Sequence, residues 1–217
     1  MSIEIRVDDY PGSKTAEFWK HNRENFEKFD DIIHEITGKS YLLGVIPIHT
    51  SDEDLKWLST RNIVIGMHGT NHDERFQNQF GDLYTKHEIC TLLHPHRKRL
   101  QDLTGQSVNT YLPPHNAIDG KTISALSMTG FKAFTSGPGS LFKQSFLHDG
   151  AMNCLHSEAP LEYGRSDELL QRNAVEHLQQ DKHFFLTLHW PWEHNIGLEH
   201  LKVFLSQIKD KVIDFSI

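Results

Sequence analysis

The sequence is poor in the features that mark several classes of protein. It has only two cysteines, Cys90 and Cys154, in 217 residues, and they form no CxxC pair, so no disulfide is required and reduced thiols fit the cytoplasm. No apolar run approaches the roughly 20 residues of a membrane-spanning helix. Lysine and arginine total 22 against 29 aspartates and glutamates, and this net charge of −7 disfavours nucleic acid as a partner.

Targeting and multidomain features are also missing. The N-terminus lacks the basic head, apolar segment and small-residue cleavage site of a secretion signal, so we expect a cytoplasmic protein. No stretch resembles a linker, and the length suits a single domain over residues 1–217. The one basic cluster, at residues 96–99, falls in a predicted helix, where a solvent-exposed face is expected.

What the sequence does contain is an alternation of short apolar runs with longer amphipathic segments, which predicts an α/β fold with a largely parallel sheet. Strands are predicted at Ile3–Val7, Tyr41–Ile48, Asn62–Met67, Val108–Leu112, Phe131–Thr135 and His183–Leu188. Helices are predicted at Thr15–Ile36, from Ser51 onward, and at Tyr84–Leu103, Asp119–Met128, Asp167–Gln180 and Gly197–Lys209. Pro95 should break or kink its helix, and residues 140–165 give no regular pattern.

The number of strand–helix units distinguishes two architectures. About six or seven units favour a barrel, and an open doubly wound sheet is the alternative. The dinucleotide-binding fingerprint of the open sheet is missing, since SGPGSL at 136–141 is only a glycine turn.

Four of the predicted strands are followed by polar side chains. Asp8 and Asp9 follow the first strand, the HGTNH segment at 68–72 follows the third, PPHN at 113–116 follows the fourth, and His189 follows the last. Reactive groups in parallel α/β folds gather beyond the carboxyl ends of the strands. The four endings therefore predict one shared site.

The HGTNH segment places His68 and His72 at i and i+4. A bare HxxxH also fits two surface histidines, but two histidines plus one carboxylate form a common metal-binding set that leaves a position for water. Asp8 or Asp9 could supply that carboxylate, and the other would then act as a general base. Taken alone, the aspartate pair would be interpreted as an acidic strand end before the Pro11-Gly12 turn, and it is the HGTNH segment that favours the metal site.

Other residues near the predicted rim have two interpretations each. His189 is either a buried core histidine or a general acid, because its ordinary pKa lies near neutrality. Trp190 and Trp192 either pack in the core or stack on sugar rings. His115 and Asn116 are either substrate contacts or ordinary loop residues.

Taken in order, these segments resemble the motifs of the polysaccharide deacetylase family, which shares the NodB homology domain (carbohydrate esterase family 4). Arg6–Asp9 resembles its aspartate-pair motif, and His68–His72 resembles His-Ser/Thr-x-x-His. Tyr111–Pro114 approximates Arg-x-Pro-Tyr/Phe, and Leu186–His189 resembles Leu-x-x-His. The matches span residues 6–189, nearly the whole chain.

The resemblance implies a distorted (β/α)7 barrel, usually holding zinc, that removes an N-acyl group such as acetyl or formyl from an amino sugar. It assigns Asp8 as the general base and His189 as the acid that protonates the leaving amine. The implied metal ligands are Asp9, His68 and His72. The oxyanion would be stabilised by the metal and by a backbone N–H near Pro113 or Pro114. The expected substrate contacts are Pro113, His115, Asn116 and Trp190.

The sequence departs from the family pattern at three places. Tyr111 replaces an arginine that normally contacts the catalytic aspartate, Gly69 replaces Ser/Thr, and the aspartate–tryptophan motif that orients the last histidine is not found. The leading hypothesis is a zinc-dependent N-deacylase of a cytoplasmic, nucleotide- or lipid-linked sugar precursor, without membrane insertion. Iron, cobalt or nickel would accept the same ligands. The alternatives are a catalytically degenerate glycan or nucleotide-sugar binder and a hydrolase of a non-sugar amide.

Overall fold

The computed structural model describes residues 2–12, 23–72, 83–136, 153–156, 161–163 and 183–216. These residues form eight strands and six α-helices. The strands are β1 (Ser2–Tyr10), β2 (Tyr41–Val45), β3 (Ile63–His68), β4 (Thr110–Leu112), β5 (Ala133–Ser136), β6 (Asn153–His156), β7 (Leu161–Tyr163) and β8 (His183–His189). The helices are α1 (Arg23–Thr37), α2 (Asp52–Leu58), α3 (Lys86–Thr104), α4 (Gly120–Met128), α5 (Trp190–Ile196) and α6 (Leu198–Ile208).

The strands lie in one sheet in the order β6-β5-β4-β3-β2-β1-β8-β7. The pairs β1–β8, β3–β4, β4–β5, β5–β6 and β7–β8 are parallel. Parallel pairing brings the carboxyl ends of neighbouring strands to the same edge. In the β1–β8 pair the register sets Asp8 opposite His189, so two residues predicted to be catalytic are neighbours at that edge.

The unit that contains β1, β8 and α1 is held by an apolar helix face and a buried polar contact. The apolar side of α1 is buried and consists of Phe26, Phe29, Ile32 and Ile33. Asp30 on the same helix is fully buried and accepts a hydrogen bond from the Tyr41 hydroxyl at 2.7 Å. The C-terminal segment is joined to β1, since the Ile213 N–H donates to the Ile3 carbonyl at 2.9 Å.

The unit that contains α2, α3 and α4 depends on well-capped helices. Thr85 and Glu88 form a reciprocal capping box at the start of α3, and Gly105 ends the helix in the left-handed conformation (φ 70°). Pro95 lies inside α3, which is helical from Lys86 to Thr104, so the sequence prediction of a break at this residue is wrong.

Two arginines of the basic cluster are bound into the fold, which corrects the expectation of a solvent-exposed face. Arg97 donates to the carbonyls of Val108 (2.7 Å) and Thr129 (2.9 Å). Arg99 donates to the carbonyls of Pro47 (2.8 Å) and Thr50 (2.9 Å). The sequence pattern missed these contacts because a guanidinium can reach main-chain carbonyls that are distant along the chain.

The predicted elements are mostly recovered, with three differences. The second strand ends at Val45 and not at Ile48, because residues 47–49 form a turn. Residues 140–165, predicted to be irregular, contain β6 and β7, and a short helix, α5, follows β8 directly. The predicted helix at 167–180 lies outside the described residues. No helix in the described part of the chain combines the length and apolar character needed to cross a bilayer.

Replacing Arg97 with methionine should lower the free energy of unfolding by about 2 kcal/mol, because two main-chain carbonyls lose a charged donor. Urea denaturation measures this change. The neighbouring exposed ion pair of Lys98 with Asp102 provides the control, and Lys98→Met should cost less than about 0.5 kcal/mol. Equal effects of the two substitutions would show that Arg97 does not stabilise the fold in this way.

Candidate active site

The aspartate pair lies at the carboxyl end of β1 and is buried. Asp8 is 2% exposed and Asp9 is 5% exposed. Asp9 has left-handed backbone geometry (φ 70°), which interrupts the alternation of side chains along the strand. The indole N–H of Trp190 donates to the Asp9 carbonyl at 3.2 Å.

Asp8 is held by an arginine of its own strand. The Arg6 Nε atom donates to Asp8 Oδ1 at 2.7 Å, and the Nη2 atom donates to Oδ2 at 2.5 Å. Residues i and i+2 of a strand lie on the same face, which explains why these two side chains meet. The arrangement is a buried, two-point ion pair.

The second sequence motif begins at the end of β3 and owes its shape to Gly69. This residue has φ 62°, a conformation that glycine adopts without steric cost and that serine or threonine adopts poorly. Its N–H donates to the Leu112 carbonyl at 3.2 Å. The departure from the family's Ser/Thr therefore fits the local backbone.

His68 is oriented for ligation by the same carbonyl. Its ring is buried, and its Nδ1 atom lies 3.0 Å from the Leu112 oxygen. Because a carbonyl oxygen only accepts hydrogen bonds, Nδ1 carries the proton, and the ring's lone pair is on Nε2. Such a fixed tautomer is the usual arrangement for a metal-binding histidine.

The loop after β2 supports the HGTNH segment at two successive carbonyls. The Ile48 N–H donates to Thr70 at 3.3 Å, and His49 Nε2 lies 3.0 Å from the Asn71 carbonyl oxygen. His72 follows directly with φ 48°. His49 was not predicted from the sequence, since no motif marks it.

Three imidazole rings follow one another in this region. The ring centres of His68 and His72 are 4.9 Å apart, and those of His72 and His115 are 5.0 Å apart. His115 is exposed and lies in the short 3-10 turn Pro114–Asn116, which follows β4. His115 therefore lies next to His72, and its assignment as a substrate contact stays a prediction.

Unfavourable backbone geometry is confined to residues that the sequence singled out. Four non-glycine residues of the described chain have positive φ angles: Asp9, His72, His115 and Asn116. A left-handed conformation costs an L-residue roughly 1–2 kcal/mol, and such costs are concentrated at functional sites. The distribution indicates that these loops are shaped for a task other than stability.

Three of the predicted site residues meet the distance requirement for one shared metal ion. Asp9, His68 and His72 each offer one ligand atom, and these atoms lie within 4.8 Å of one another. Two imidazole nitrogens and a carboxylate oxygen suit zinc and neighbouring divalent metals. The donor set therefore fits the metal that the resemblance implies.

Few backbone N–H groups near Pro113 and Pro114 could be the expected oxyanion donor. Proline has no N–H. The N–H of Asn116 donates to Pro113 at 3.0 Å, and that of Ala117 donates to Pro114 at 3.1 Å. Within this turn the N–H of His115 is the donor that remains, and Pro113 can contribute only its ring and carbonyl.

The residues after β8 have surroundings that the sequence did not predict. His189 is half-buried and lies opposite Asp8 in the β1–β8 register. Trp190, expected to stack on a sugar, is only 2% exposed and packs edge-on against Phe26 at 5.5 Å. A ring in that position supports Asp9 from within the core and does not offer an open face to a sugar.

Glu193 is a buried acid of α5 and is 1% exposed. Neither carboxyl oxygen makes a hydrogen bond of good geometry with the described residues. Burial raises the pKa of Glu193 to about 9, against a smaller lowering by the His189 backbone N–H. At neutral pH the group is therefore protonated and uncharged beside His189.

Comparison with known proteins gives matches of structure alone. No family model and no curated protein matches the sequence. A protein from Mycobacterium smegmatis described as a polysaccharide deacetylase is 14% identical, with TM-score 0.72 and coverage of 98% of this chain and 85% of that one. The peptidoglycan N-acetylglucosamine deacetylase Bc1960 is 11% identical, with TM-score 0.62 and coverage of 99% and 86%.

A pseudoenzyme of carbohydrate esterase family 4 from Bacillus anthracis is also similar. It is 12% identical, with TM-score 0.64, and the match covers 99% of this chain but only 63% of the pseudoenzyme. A mutant of that protein has restored enzymatic activity. The chain therefore has the distorted (β/α)-barrel fold of the carbohydrate esterase family 4 polysaccharide deacetylases.

Proposed function

We propose that the protein is a metal-dependent hydrolase that removes an N-acyl group from an amino sugar. The observation that carries this proposal is the meeting of ligand atoms of Asp9, His68 and His72 within 4.8 Å of one another. Asp8 and His189 pair with each other at the ends of β1 and β8. Bound zinc would polarise the acyl carbonyl and lower the pKa of a water molecule. Asp9, His68 and His72 would hold it.

The remaining chemistry falls to residues on β1 and β8 and in the turn after β4. The Asp8 carboxylate accepts a proton from the attacking water, and His189 donates a proton to the nitrogen as the C–N bond breaks. The His115 N–H donates to the acyl oxygen as negative charge develops there. The products are a carboxylate and a free amino sugar.

The substrate that we propose is a small N-acetylated or N-formylated precursor, linked to a nucleotide or a lipid, inside the cell. A panel of such precursors, free sugars, glycan polymers and one non-sugar amide identifies the substrate by amine release.

A second candidate function is that of a domain that binds a glycan without turnover. It is favoured by the similarity to a pseudoenzyme and by the absence of the third-motif arginine. Saturable binding without amine release across the panel would support it.

The protein should purify with one divalent ion per chain, and chelation should abolish amine release until zinc is added back. Asp9→Asn, His68→Asn and His72→Asn should each lose the ion, because three ligands are the minimum for tight binding at such a site. Elemental analysis measures the ion. His94→Asn, at an exposed position of α3, is the control and should keep it. Full activity of rigorously metal-free protein would refute the metal-dependent mechanism.

Asp8→Asn should retain the metal and lose about 10²–10⁴-fold in kcat, because an amide cannot accept the proton of water. Steady-state kinetics with elemental analysis of the same preparation separates the two effects. Asp102→Asn, on the exposed surface of α3, should leave kcat unchanged. An Asp8→Asn variant as active as the wild type would reject Asp8 as the base.

Glu193→Gln should make the protein more stable, increasingly so as the pH rises. The pKa of a free glutamate is 4.5, and burial raises that of folded Glu193 to about 9. Between these values the folded state holds a proton that the unfolded state has lost, so stability falls with rising pH by up to about 1.4 kcal/mol per unit. Glutamine removes this dependence.

Urea unfolding of both proteins from pH 5 to pH 8 tests the prediction, with the exposed Glu199→Gln as control. A constant difference between wild type and Glu193→Gln over this range would contradict a protonated Glu193.

A further inference from the structure

The Arg6–Asp8 ion pair is the most deeply buried charged contact that the described residues show near the site. The two side chains are 4% and 3% exposed. Arg6 is 3% exposed, although it lies on the face of β1 opposite to that of the core residues Ile5 and Val7. An arginine in such surroundings needs an explanation.

A contribution to stability does not explain the buried Arg6–Asp8 pair. Removing two charges from water costs several kcal/mol per ion, and replacing a buried pair with apolar residues is often neutral or stabilising. The pair is therefore better explained by what it does for Asp8.

The geometry of the pair fixes the carboxylate in a single plane. Two nitrogens of the rigid guanidinium each bind a different oxygen, at 2.7 and 2.5 Å, and this fork prevents rotation about the terminal torsion of Asp8. Each carboxylate oxygen has two lone pairs, so the contact with Arg6 does not by itself prevent Asp8 from accepting a proton.

Tyr111, at the position where the family resemblance implies an arginine, cannot bind the Asp8 carboxylate as a guanidinium does. Tyr111 is 1% exposed and packs edge-on against Phe131, with ring centres 5.7 Å apart. Burial raises the pKa of Tyr111 far above its ordinary value, and Asp119 adds to the rise. Its hydroxyl stays neutral and provides no positive charge.

We propose that Arg6 is the positioning residue of the reaction: it orients the Asp8 carboxylate toward the attacking water, in place of the arginine that is missing at position 111. This inference rests on the proposed function, in which Asp8 is the base. Because a misplacement of about 1 Å at a reacting group can cost 10²-fold in rate, loss of the two-point contact should appear in kcat.

The test compares Arg6→Lys with wild type on the best N-acylated sugar of the substrate panel. Lysine keeps the charge but binds through one point, so kcat should fall about 10²-fold while KM changes less than about threefold. Metal content should be unchanged. Arg97→Lys is the matched control, since it weakens a structural arginine far from Asp8 in sequence, and its kcat should equal that of the wild type.

Chemical rescue separates positioning from a general loss of structure. Arg6→Ala should recover part of its kcat in millimolar ethylguanidinium, which restores the fork, and not in ethylammonium, which does not. Wild-type kcat in Arg6→Lys would overturn the inference, and so would equal rescue by the two cations.

A crystal structure of Arg6→Lys provides a readout that does not need turnover. The Asp8 carboxylate should be rotated from its wild-type plane while Asp9, His68 and His72 keep their positions. An unrotated Asp8 would overturn the inference even if no substrate is found. A wild-type protein that turns over no acyl sugar, with Asp8 rotated in the variant, would reject the proposed function and would still show that Arg6 orients the Asp8 carboxylate.

Discussion

Two adjacent carboxylates buried at the end of one strand are the constraint on which the rest of this site depends. Asp8 and Asp9 are 2% and 5% exposed, and a buried charge is tolerated only when it is paired and hydrogen-bonded. Asp8 has the guanidinium of Arg6. We propose that the positive partner of Asp9 is a divalent cation, which His68 and His72 also bind. In this proposal the aspartates can lie side by side because they have different positive partners and different tasks.

At the same edge of the sheet, unfavourable backbone conformations accompany the placement of the predicted metal ligands. The left-handed conformations of Asp9 and His72 turn these residues out of regular strand geometry. Gly69 supplies a further left-handed residue within the histidine motif, and the Leu112 carbonyl binds both its N–H and the His68 ring. A serine or threonine at position 69 would add steric cost where the chain needs a tight turn.

Much of this arrangement could be predicted from the sequence, because its signals are local. Alternating apolar runs located most of the strands, and polar residues directly after those strands marked the site, including Asp9, His68 and His72. The fold followed from the order of the motifs. Strand ends were less predictable: β2 stops at Val45 because the chain turns at Pro47, although the apolar pattern continues to Ile48.

The features of the candidate site that could not be predicted from the sequence depend on contacts between segments that are distant along the chain. The burial of Trp190 against Phe26 and the raised pKa of Glu193 follow from packing, which periodicity does not report. Arg6 is different, since its distance of two residues from Asp8 on a strand was visible in the sequence. The family motif does not indicate it, because that motif places its arginine at position 111.

The binding of one zinc ion by Asp9, His68 and His72 can be tested by X-ray diffraction. Crystals grown with zinc would be measured on both sides of the zinc absorption edge. The account predicts one anomalous peak, about 2.0–2.2 Å from an Asp9 oxygen and from one nitrogen each of His68 and His72. Asp8 should remain bound to Arg6 and should not be a ligand. A peak ligated by Asp8, or no peak between Asp9 and the two histidines, would contradict the account.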